Sequence, residues 1–175
     1  MNSRMKRTRL VVCAVGMLTA AALALSTSPS SAANSYNGAA YVNGGGDLWD
    51  DWGDEGILST SSNTSSNATC LWQKVLWAEG ELAWSQIDGI YGPATRDATR
   101  RLQAKWLVQA DGVVGKNTFG SASSNGLWNP GEYNSSISAP VSRSFIVWKD
   151  SQGRYNFYDR SGNARLAGYN YLTCS

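Results

Sequence analysis

The strongest constraint on the fold is an eight-residue pattern that the chain contains twice. The pattern D-G-x-x-G-x-x-T occurs at Asp88–Thr95 and again at Asp111–Thr118, 23 residues further along. Glycine relieves the steric penalty of a tight turn, and Pro93 suits the first position of a helix. Asp and Thr are short side chains whose oxygens can accept hydrogen bonds from open backbone N–H groups. Each copy therefore predicts a loop that leads into a helix.

The spacing of apolar residues predicts three helices around these two loops. Residues 93–106 and 69–79 each place their apolar side chains along one helical face, with charged or amide side chains elsewhere. The second loop is expected to begin only a short helix, because Gly120 and the Ser-Ser-Asn-Gly run at 123–126 interrupt it.

These motifs resemble the peptidoglycan-binding domain of the three-helix, repeat-containing kind that is found attached to cell-wall hydrolases. The matching residues are Trp72-Gln73 with Leu76, Asp88–Thr95 with Ala98, Leu102-Gln103, and Asp111–Thr118 with Phe119. The resemblance covers roughly residues 69–122 and departs from the family pattern at Trp72, Lys116 and Ala122. It implies a three-helix fold and binding to bacterial cell-wall peptidoglycan, through either the glycan strand or the stem peptide.

The first 33 residues have the features of a secretory signal peptide. Four basic residues precede an apolar run over 10–25, and small residues follow up to a cleavage site after Ala32 or Ala33. The run is short for a membrane-spanning helix, and Cys13 lies too early in it for lipid attachment. We therefore expect a secreted, extracellular or cell-wall-associated protein that has no membrane contact after cleavage.

Cleavage would also change the charge and the number of cysteines. Removing four of the 15 basic residues leaves 11 against 13 acidic ones, so the net charge changes from +2 to −2. This charge argues against a nucleic-acid partner. Cys70 and Cys174 would be the two remaining cysteines, and an oxidising compartment predicts a disulfide between them.

The remaining segments complete an α+β fold, in which a C-terminal antiparallel β meander follows the three-helix domain. Residues 34–68 comprise an acidic, aromatic and glycine-rich stretch and then a Ser/Thr/Asn-rich flexible connector from 59. The acidic stretch lacks the spacing of a calcium loop, so a solvated acidic turn is expected. Residues 69–126 form the helical domain, 127–140 a linker, and 141–175 a meander of three strands separated by turns at 150–153 and 159–162.

The absence of histidine excludes most catalytic centres that accompany such domains. A Ser-His-Asp triad, a Cys-His pair and a His-ligated zinc site all need this residue. Glu79 and Glu81 are the candidates for a carboxylate pair in a small cell-wall hydrolase. The simpler interpretation is that they lie at the solvated end of a helix. We expect a non-catalytic binding module without cofactor or metal; a protein-interaction or inhibitor module on the same scaffold is the alternative.

The candidate site lies around the repeated loops. Peptidoglycan offers carboxylates and sugar rings, which Arg or Lys and aromatic side chains can contact. The candidate contact residues are Trp84, Tyr91, Arg96, Arg100 and Lys116, although the two aromatic residues could equally be core packing and the arginines a solvated helix face. The residues expected to shape the loops are Asp88, Gly89, Gly92, Thr95, Asp111, Gly112, Gly115 and Thr118.

Overall fold

The computed structural model of the protein describes residues 35–135 and 143–175. The predicted signal peptide, with Cys13, and residues 136–140 of the predicted linker lie outside the described residues. Three helices, α1 (Asn67–Ala78), α2 (Pro93–Lys105) and α3 (Lys116–Gly126), are followed by four strands. The strands are β1 (Glu132–Asn134), β2 (Ser144–Lys149), β3 (Tyr155–Tyr158) and β4 (Ala164–Leu166). The α+β class is confirmed.

Helix α1 is the centre of the structure and is buried on all but one of its positions. Ser66 caps its first turn, because the Ser66 side chain accepts a hydrogen bond from the Thr69 backbone N–H at 3.0 Å. The buried Lys74 ammonium donates to the carbonyl oxygen of Tyr158 on β3 at 2.7 Å. Burial lowers the Lys74 pKa from 10.5 to about 8.

Helix α3 is longer than the sequence predicts, because its glycines lie at close packing contacts rather than at breaks. A Cβ atom at Gly120 would lie 3.3 Å from the Cα of Gly53, and a Cβ at Gly126 would overlap the ring of Tyr133. The helix therefore continues through Gly120 and ends at Gly126, and only glycine allows these neighbours to approach so closely.

The sheet has four antiparallel strands in the order β1-β2-β3-β4, one more than predicted. The extra strand, β1, lies in the segment that the sequence assigned to a linker. Its central residue, Tyr133, pairs with Phe145 of β2, and the two rings stack with centroids 5.1 Å apart. A three-residue strand is too short for its alternation to be recognised in the sequence.

The segment before α1 is part of the core, contrary to the predicted acidic turn and flexible connector. Trp52 is fully buried and contacts Phe119 of α3, Tyr133 of β1 and Tyr155 of β3, with ring centroids 5.2–6.3 Å apart. Backbone hydrogen bonds also join Val42 to Ala167 and Tyr155. The indole of Trp52 fills the space where the helices meet the sheet, which explains why this segment is ordered.

Two of the five acids in this segment, Asp51 and Glu55, are buried, so the predicted solvated acidic turn is wrong for these two, whereas Asp47, Asp50 and Asp54 are exposed. Asp51 accepts hydrogen bonds from the Tyr155 hydroxyl at 2.5 Å and from the Lys149 ammonium at 2.9 Å. Glu55 accepts from the Tyr169 hydroxyl at 2.5 Å and from the Asn43 backbone N–H at 2.8 Å. Within the described residues, no cluster of three or more acidic, Cys or His side chains is placed to hold a metal ion.

A disulfide joins Cys70 on α1 to Cys174 at the C-terminal end, with the two Cα atoms 6.6 Å apart. Asn67 reinforces the same contact, because its side-chain oxygen accepts from the backbone N–H groups of Thr173 and Cys174. Across residues 35–135 and 143–175, no helix combines the length and the hydropathy needed to cross a bilayer.

Candidate functional site

The first repeated loop is organised around one buried side chain, Gln73 of α1. The Gln73 side-chain oxygen accepts from the backbone N–H groups of Asp88 and Gly89, at 2.9 and 2.7 Å. The Gln73 side-chain nitrogen donates to Asp88 Oδ1, the Ile90 carbonyl and Thr95 Oγ1 at 2.9–3.0 Å. One side-chain amide thereby accepts hydrogen bonds from backbone N–H groups of the loop and donates one to a backbone carbonyl of the same loop.

The second loop repeats this arrangement around Gln103 of α2. Gln103 accepts from the Gly112 N–H at 2.8 Å and donates to Asp111 Oδ1, the Val113 carbonyl and Thr118 Oγ1 at 2.9–3.1 Å. The repeat in the sequence is thus a repeat of hydrogen bonds, with a glutamine from the preceding helix at the centre of each loop.

Asp and Gly have the same local roles in both copies. Asp88 Oδ1 accepts from the N–H of Ile90, and Asp111 Oδ1 from that of Val113, each at 2.8 Å, which is an Asx turn. Gly89 and Gly112 have φ angles of +75° and +76°, a conformation that favours glycine. The aspartates bind N–H groups of the loop and not of the helix start, since no side chain caps α2 or α3.

The stretch before α1 holds both loops in place. Leu58 and Val114 exchange two backbone hydrogen bonds, at 2.9 and 3.0 Å. The Tyr91 N–H donates to the Thr64 carbonyl at 2.7 Å, and the Ser66 N–H to the Gly89 carbonyl at 3.0 Å. Backbone hydrogen bonds therefore attach both loops to the segment before α1.

A cleft of about 210 Å³ lies beside the second loop, at the start of α3. Lys116 and Asn117 of α3 form one side, and Val108 and Gln109, after α2, form another. Tyr36 closes the cleft from the N-terminal segment. The Tyr36 side chain is 55% exposed, and its hydroxyl lies 3.3 Å from where a Cβ of Gly115 would be.

The cleft lining combines the ammonium of Lys116, the carboxylate of Asp111, open backbone donors and an aromatic side chain. Asp111 Oδ1 already accepts from the Gln103 side chain and the Val113 N–H. Lys116 is exposed and has no salt bridge among the described residues. It is the first residue of α3, whose N-cap, Gly115, has no side chain to occupy the helix N-terminus. The N-terminus of a helix favours an anionic group, so a carboxylate would fit here beside the ammonium of Lys116.

Arg96 and Arg100 lie over the same loop, but unlike Lys116 they do not line the cleft. The Cγ atoms of both arginines are within 3.1 Å of where a Cβ of Gly112 would lie. Arg100 Nε donates to the Asp111 carbonyl at 3.2 Å, whereas Arg96 pairs with Asp97 at 2.9 Å. Arg100 therefore helps to fix the loop, and the charge of Arg96 is partly compensated.

The other two candidate contact residues do not join this group. Tyr91 is 2% exposed, and its hydroxyl donates to Thr99 Oγ1 at 2.8 Å and to the Gly112 carbonyl at 3.0 Å. Burial raises the Tyr91 pKa above its usual range. Tyr91 thus packs beneath the second loop and cannot offer its face to a ligand.

Trp84 is 39% exposed but belongs to a different cluster. The centre of its ring lies 4.7 Å from that of Trp77 and 4.8 Å from the Lys74 ammonium. Trp84 begins a 3₁₀ turn over Trp84–Gln86, which precedes the first loop. None of these neighbours lines the cleft.

The carboxylates considered for catalysis are engaged elsewhere. Glu79 is buried and accepts from the Tyr133 hydroxyl at 3.0 Å. Glu81 accepts from Arg101 at 2.8 Å and pairs with Lys105. The solvated helix end expected from the sequence is therefore wrong, because both acids hold neighbouring elements together.

Sequence reasoning missed the central role of the two glutamines and the contribution of Tyr36. The glutamines were visible as the Trp72-Gln73 and Leu102-Gln103 pairs, and the available signal was that an apolar-Gln pair precedes each Asp-Gly pair, although by 15 residues in the first copy and 8 in the second. Tyr36 had no local signal, since its contact with Gly115 joins positions 79 residues apart in the sequence.

Residues 67–121 match the model of a protein family described as "Putative peptidoglycan binding domain". The match covers all of α1, α2 and both loops, and α3 as far as residue 121. This finding supports the assignment of the three-helix segment to a peptidoglycan-binding domain family. Comparison of the chain with curated proteins and with solved structures gives no significant match.

Proposed function

We propose that this protein is a secreted, non-catalytic module that binds bacterial cell-wall peptidoglycan through the cleft at the second loop. The family match of residues 67–121 carries the proposal, because the description of that family names peptidoglycan as its ligand. The cleft adds a physical reason, since it offers donors and positive charge to a carboxylate and an aromatic ring to an apolar surface.

The stem peptide suits the cleft better than the glycan strand does. A stem peptide carries carboxylates, and the start of α3 offers the ammonium of Lys116 together with N–H groups that no cap occupies. The ring of Tyr36 can cover the aliphatic part of such a peptide. Binding would then depend on salt, because the charged partners are exposed to solvent.

The test is co-sedimentation of the full chain with purified insoluble cell wall. We expect the protein in the pellet, and we expect Lys116→Glu to release it by weakening binding about tenfold, the effect of losing a hydrogen bond to a charged group. Lys105→Ala is the control for loss of an exposed lysine that does not line the cleft, and its melting temperature is measured as well because Lys105 pairs with Glu81.

Two further outcomes would separate the alternatives. Wild-type protein that stays in the supernatant would contradict wall binding and favour a protein-interaction or inhibitor module. Loss of turbidity in a wall suspension would contradict the non-catalytic part of the proposal. Secretion is checked by N-terminal sequencing of protein from the culture medium, which should begin after Ala32 or Ala33.

A further inference from the structure

The cleft at the second loop has charges of both signs in its lining. The ammonium of Lys116 and the carboxylate of Asp111 both belong to residues that line it. Both residues are exposed, and neither forms a salt bridge within residues 35–135 and 143–175. The cleft therefore offers a ligand one cation and one anion, whereas a carboxylate ligand would use only the cation.

Asp111 uses one carboxylate oxygen for the loop and keeps the other available. Its Oδ1 atom accepts from the Gln103 side chain at 3.1 Å and from the Val113 N–H at 2.8 Å. Its Oδ2 atom has no hydrogen bond to the described part of the chain, because Arg100 donates to the Asp111 carbonyl and not to the carboxylate. A carboxylate can accept at both oxygens, so Asp111 can hold the loop and still contact a ligand.

The two copies of the motif separate the role of Asp in the loop from its role in the cleft. In the first copy, Asp88 Oδ1 accepts from the Gln73 side chain at 2.9 Å and from the Ile90 N–H at 2.8 Å, as Asp111 Oδ1 does in the second. Pro93 occupies the position in the first copy that Lys116 has in the second. The loop architecture therefore requires the Asp but not the lysine, and the second copy alone combines the two charges.

The two charges disfavour a simple anion as the group that enters the cleft. A carboxylate would be attracted by Lys116 but repelled by Asp111, and like charges in one binding site lower affinity. A group that carries an ammonium beside its carboxylate would pair with both. The volume of about 210 Å³ lies below the range of drug-sized pockets, roughly 300–1,000 Å³, so the cleft suits one terminal group and not a length of peptide.

We propose that the cleft selects a zwitterionic amino-acid group, in which one carbon atom carries a free carboxylate and a free ammonium. The carboxylate would pair with Lys116 and the ammonium with Asp111 Oδ2, both through charge-assisted hydrogen bonds. Val108 and Val113, which also line the cleft, would contact the aliphatic chain that carries this group.

This inference rests on the proposed function and narrows it to one part of the stem peptide. A peptide C-terminus has an amide nitrogen beside its carboxylate, and a lysine side chain has an ammonium without a carboxylate. Both charges occur on one carbon only at the free end of a diamino-dicarboxylic acid side chain. We therefore expect the protein to distinguish walls by the chemistry of this side chain.

The experiment is a calorimetric titration of the full chain with three soluble muropeptides that contain diaminopimelate and differ only at its free end. The first has the free carboxylate and ammonium, the second has the ammonium acetylated, and the third has the carboxylate converted to a carboxamide. We expect the first to bind about tenfold or more tightly than either of the others, the effect of one charge-assisted hydrogen bond. This comparison uses wild-type protein, so it does not depend on the folding of a variant.

Asp111→Asn tests the assignment through the sign of its effect. The amide keeps an Oδ1 acceptor for the loop but removes the charge. Binding of the first muropeptide should weaken about tenfold, and its preference over the acetylated one should disappear. A simple carboxylate ligand would instead bind more tightly, because a repulsion is removed. Asp88→Asn makes the same change in the first copy, outside the cleft lining, and should keep wild-type affinity and preference.

The outcomes distinguish this inference from the proposed function. Equal binding of the first two muropeptides, or tighter binding by folded Asp111→Asn, would overturn the inference while co-sedimentation with cell wall still supports the proposed function. No binding of any muropeptide at millimolar concentration, together with no co-sedimentation, would overturn both. Free diaminopimelate that binds as tightly as the first muropeptide would support the zwitterion site but contradict the wall peptide as its source.

Discussion

Replacement of Gln73 by leucine tests whether one buried amide organises the first loop. The change roughly keeps the volume but removes about four hydrogen bonds, because the two N–H protons of Gln73 are shared among three acceptors and its oxygen accepts twice. It also leaves the N–H groups of Asp88 and Gly89 without these partners. A net loss of ~1 kcal/mol per bond is partly offset, because Thr95 and the Ile90 carbonyl retain a contact with each other. The buried Gly89 N–H adds a penalty of roughly 1–3 kcal/mol. We expect Gln73→Leu to lower the free energy of unfolding by about 4 kcal/mol.

The assay is chemical denaturation followed by tryptophan fluorescence and near-UV circular dichroism. A loss of about 4 kcal/mol is a large share of a typical stability of ~5–15 kcal/mol, so the transition should move to much lower denaturant. Gln103→Leu should behave similarly, since Gln103 has the equivalent contacts in the second loop. Gln152→Leu, at an exposed turn, is the matched control and should change stability by less than about 0.5 kcal/mol. If Gln73→Leu stays within about 1 kcal/mol of wild type, the glutamine-centred account of the loops is refuted.

Three further predictions concern the loops, the disulfide and one buried acid. Asp88→Ala and Asp111→Ala should each cost about 1 kcal/mol in denaturation, and a variant that keeps its melting temperature but loses wall binding would show that the Asp contacts ligand. Cys174→Ser should cost on the order of 4–5 kcal/mol, because the bond closes a separation of 104 residues; free thiols in denatured, unreduced protein would contradict the bond. Burial raises the Glu55 pKa from 4.5 to about 7, so the native state holds a proton that the unfolded state releases, and the free energy of unfolding should fall as pH rises between these values. Glu55→Gln should flatten that pH profile, and an unchanged slope would exclude Glu55 as its source.

The repeated part of the fold could be predicted because its information is local. Each Asp-Gly pair, its following Thr and the preceding helix lie within a few turns of one another along the chain, so sequence spacing shows their relation directly. The bounds of α1 and α2 differ from the predicted ones by at most two residues. The sequence underestimates the length of helix α3, because Gly120 suggests a helix break. In the structure Gly120 instead allows a close contact with Gly53, which is far away in the sequence.

The remainder could not be predicted because its contacts join distant segments. Asp51 binds Lys149 and Tyr155, and Glu55 binds Tyr169, so these acids are buried by partners about 100 residues further along. Sequence pattern alone describes such a segment as polar and aperiodic, which resembles a linker. The cleft was predicted only in part for the same reason, since its aromatic side chain, Tyr36, comes from that segment.

The most direct test of the central claim is a chemical-shift map of the ¹⁵N-labelled protein with a soluble muropeptide that contains the stem peptide. We predict the largest shifts at the backbone N–H groups of the residues that line the cleft, which are Tyr36, Val108, Gln109, Asp111, Val113 and residues 115–118. Lys116→Glu should reduce these shifts, whereas Lys105→Ala should leave them unchanged. Shifts confined to Trp84 and its neighbours on α1, or no shifts at millimolar muropeptide, would contradict the assignment of the cleft as the wall-binding site.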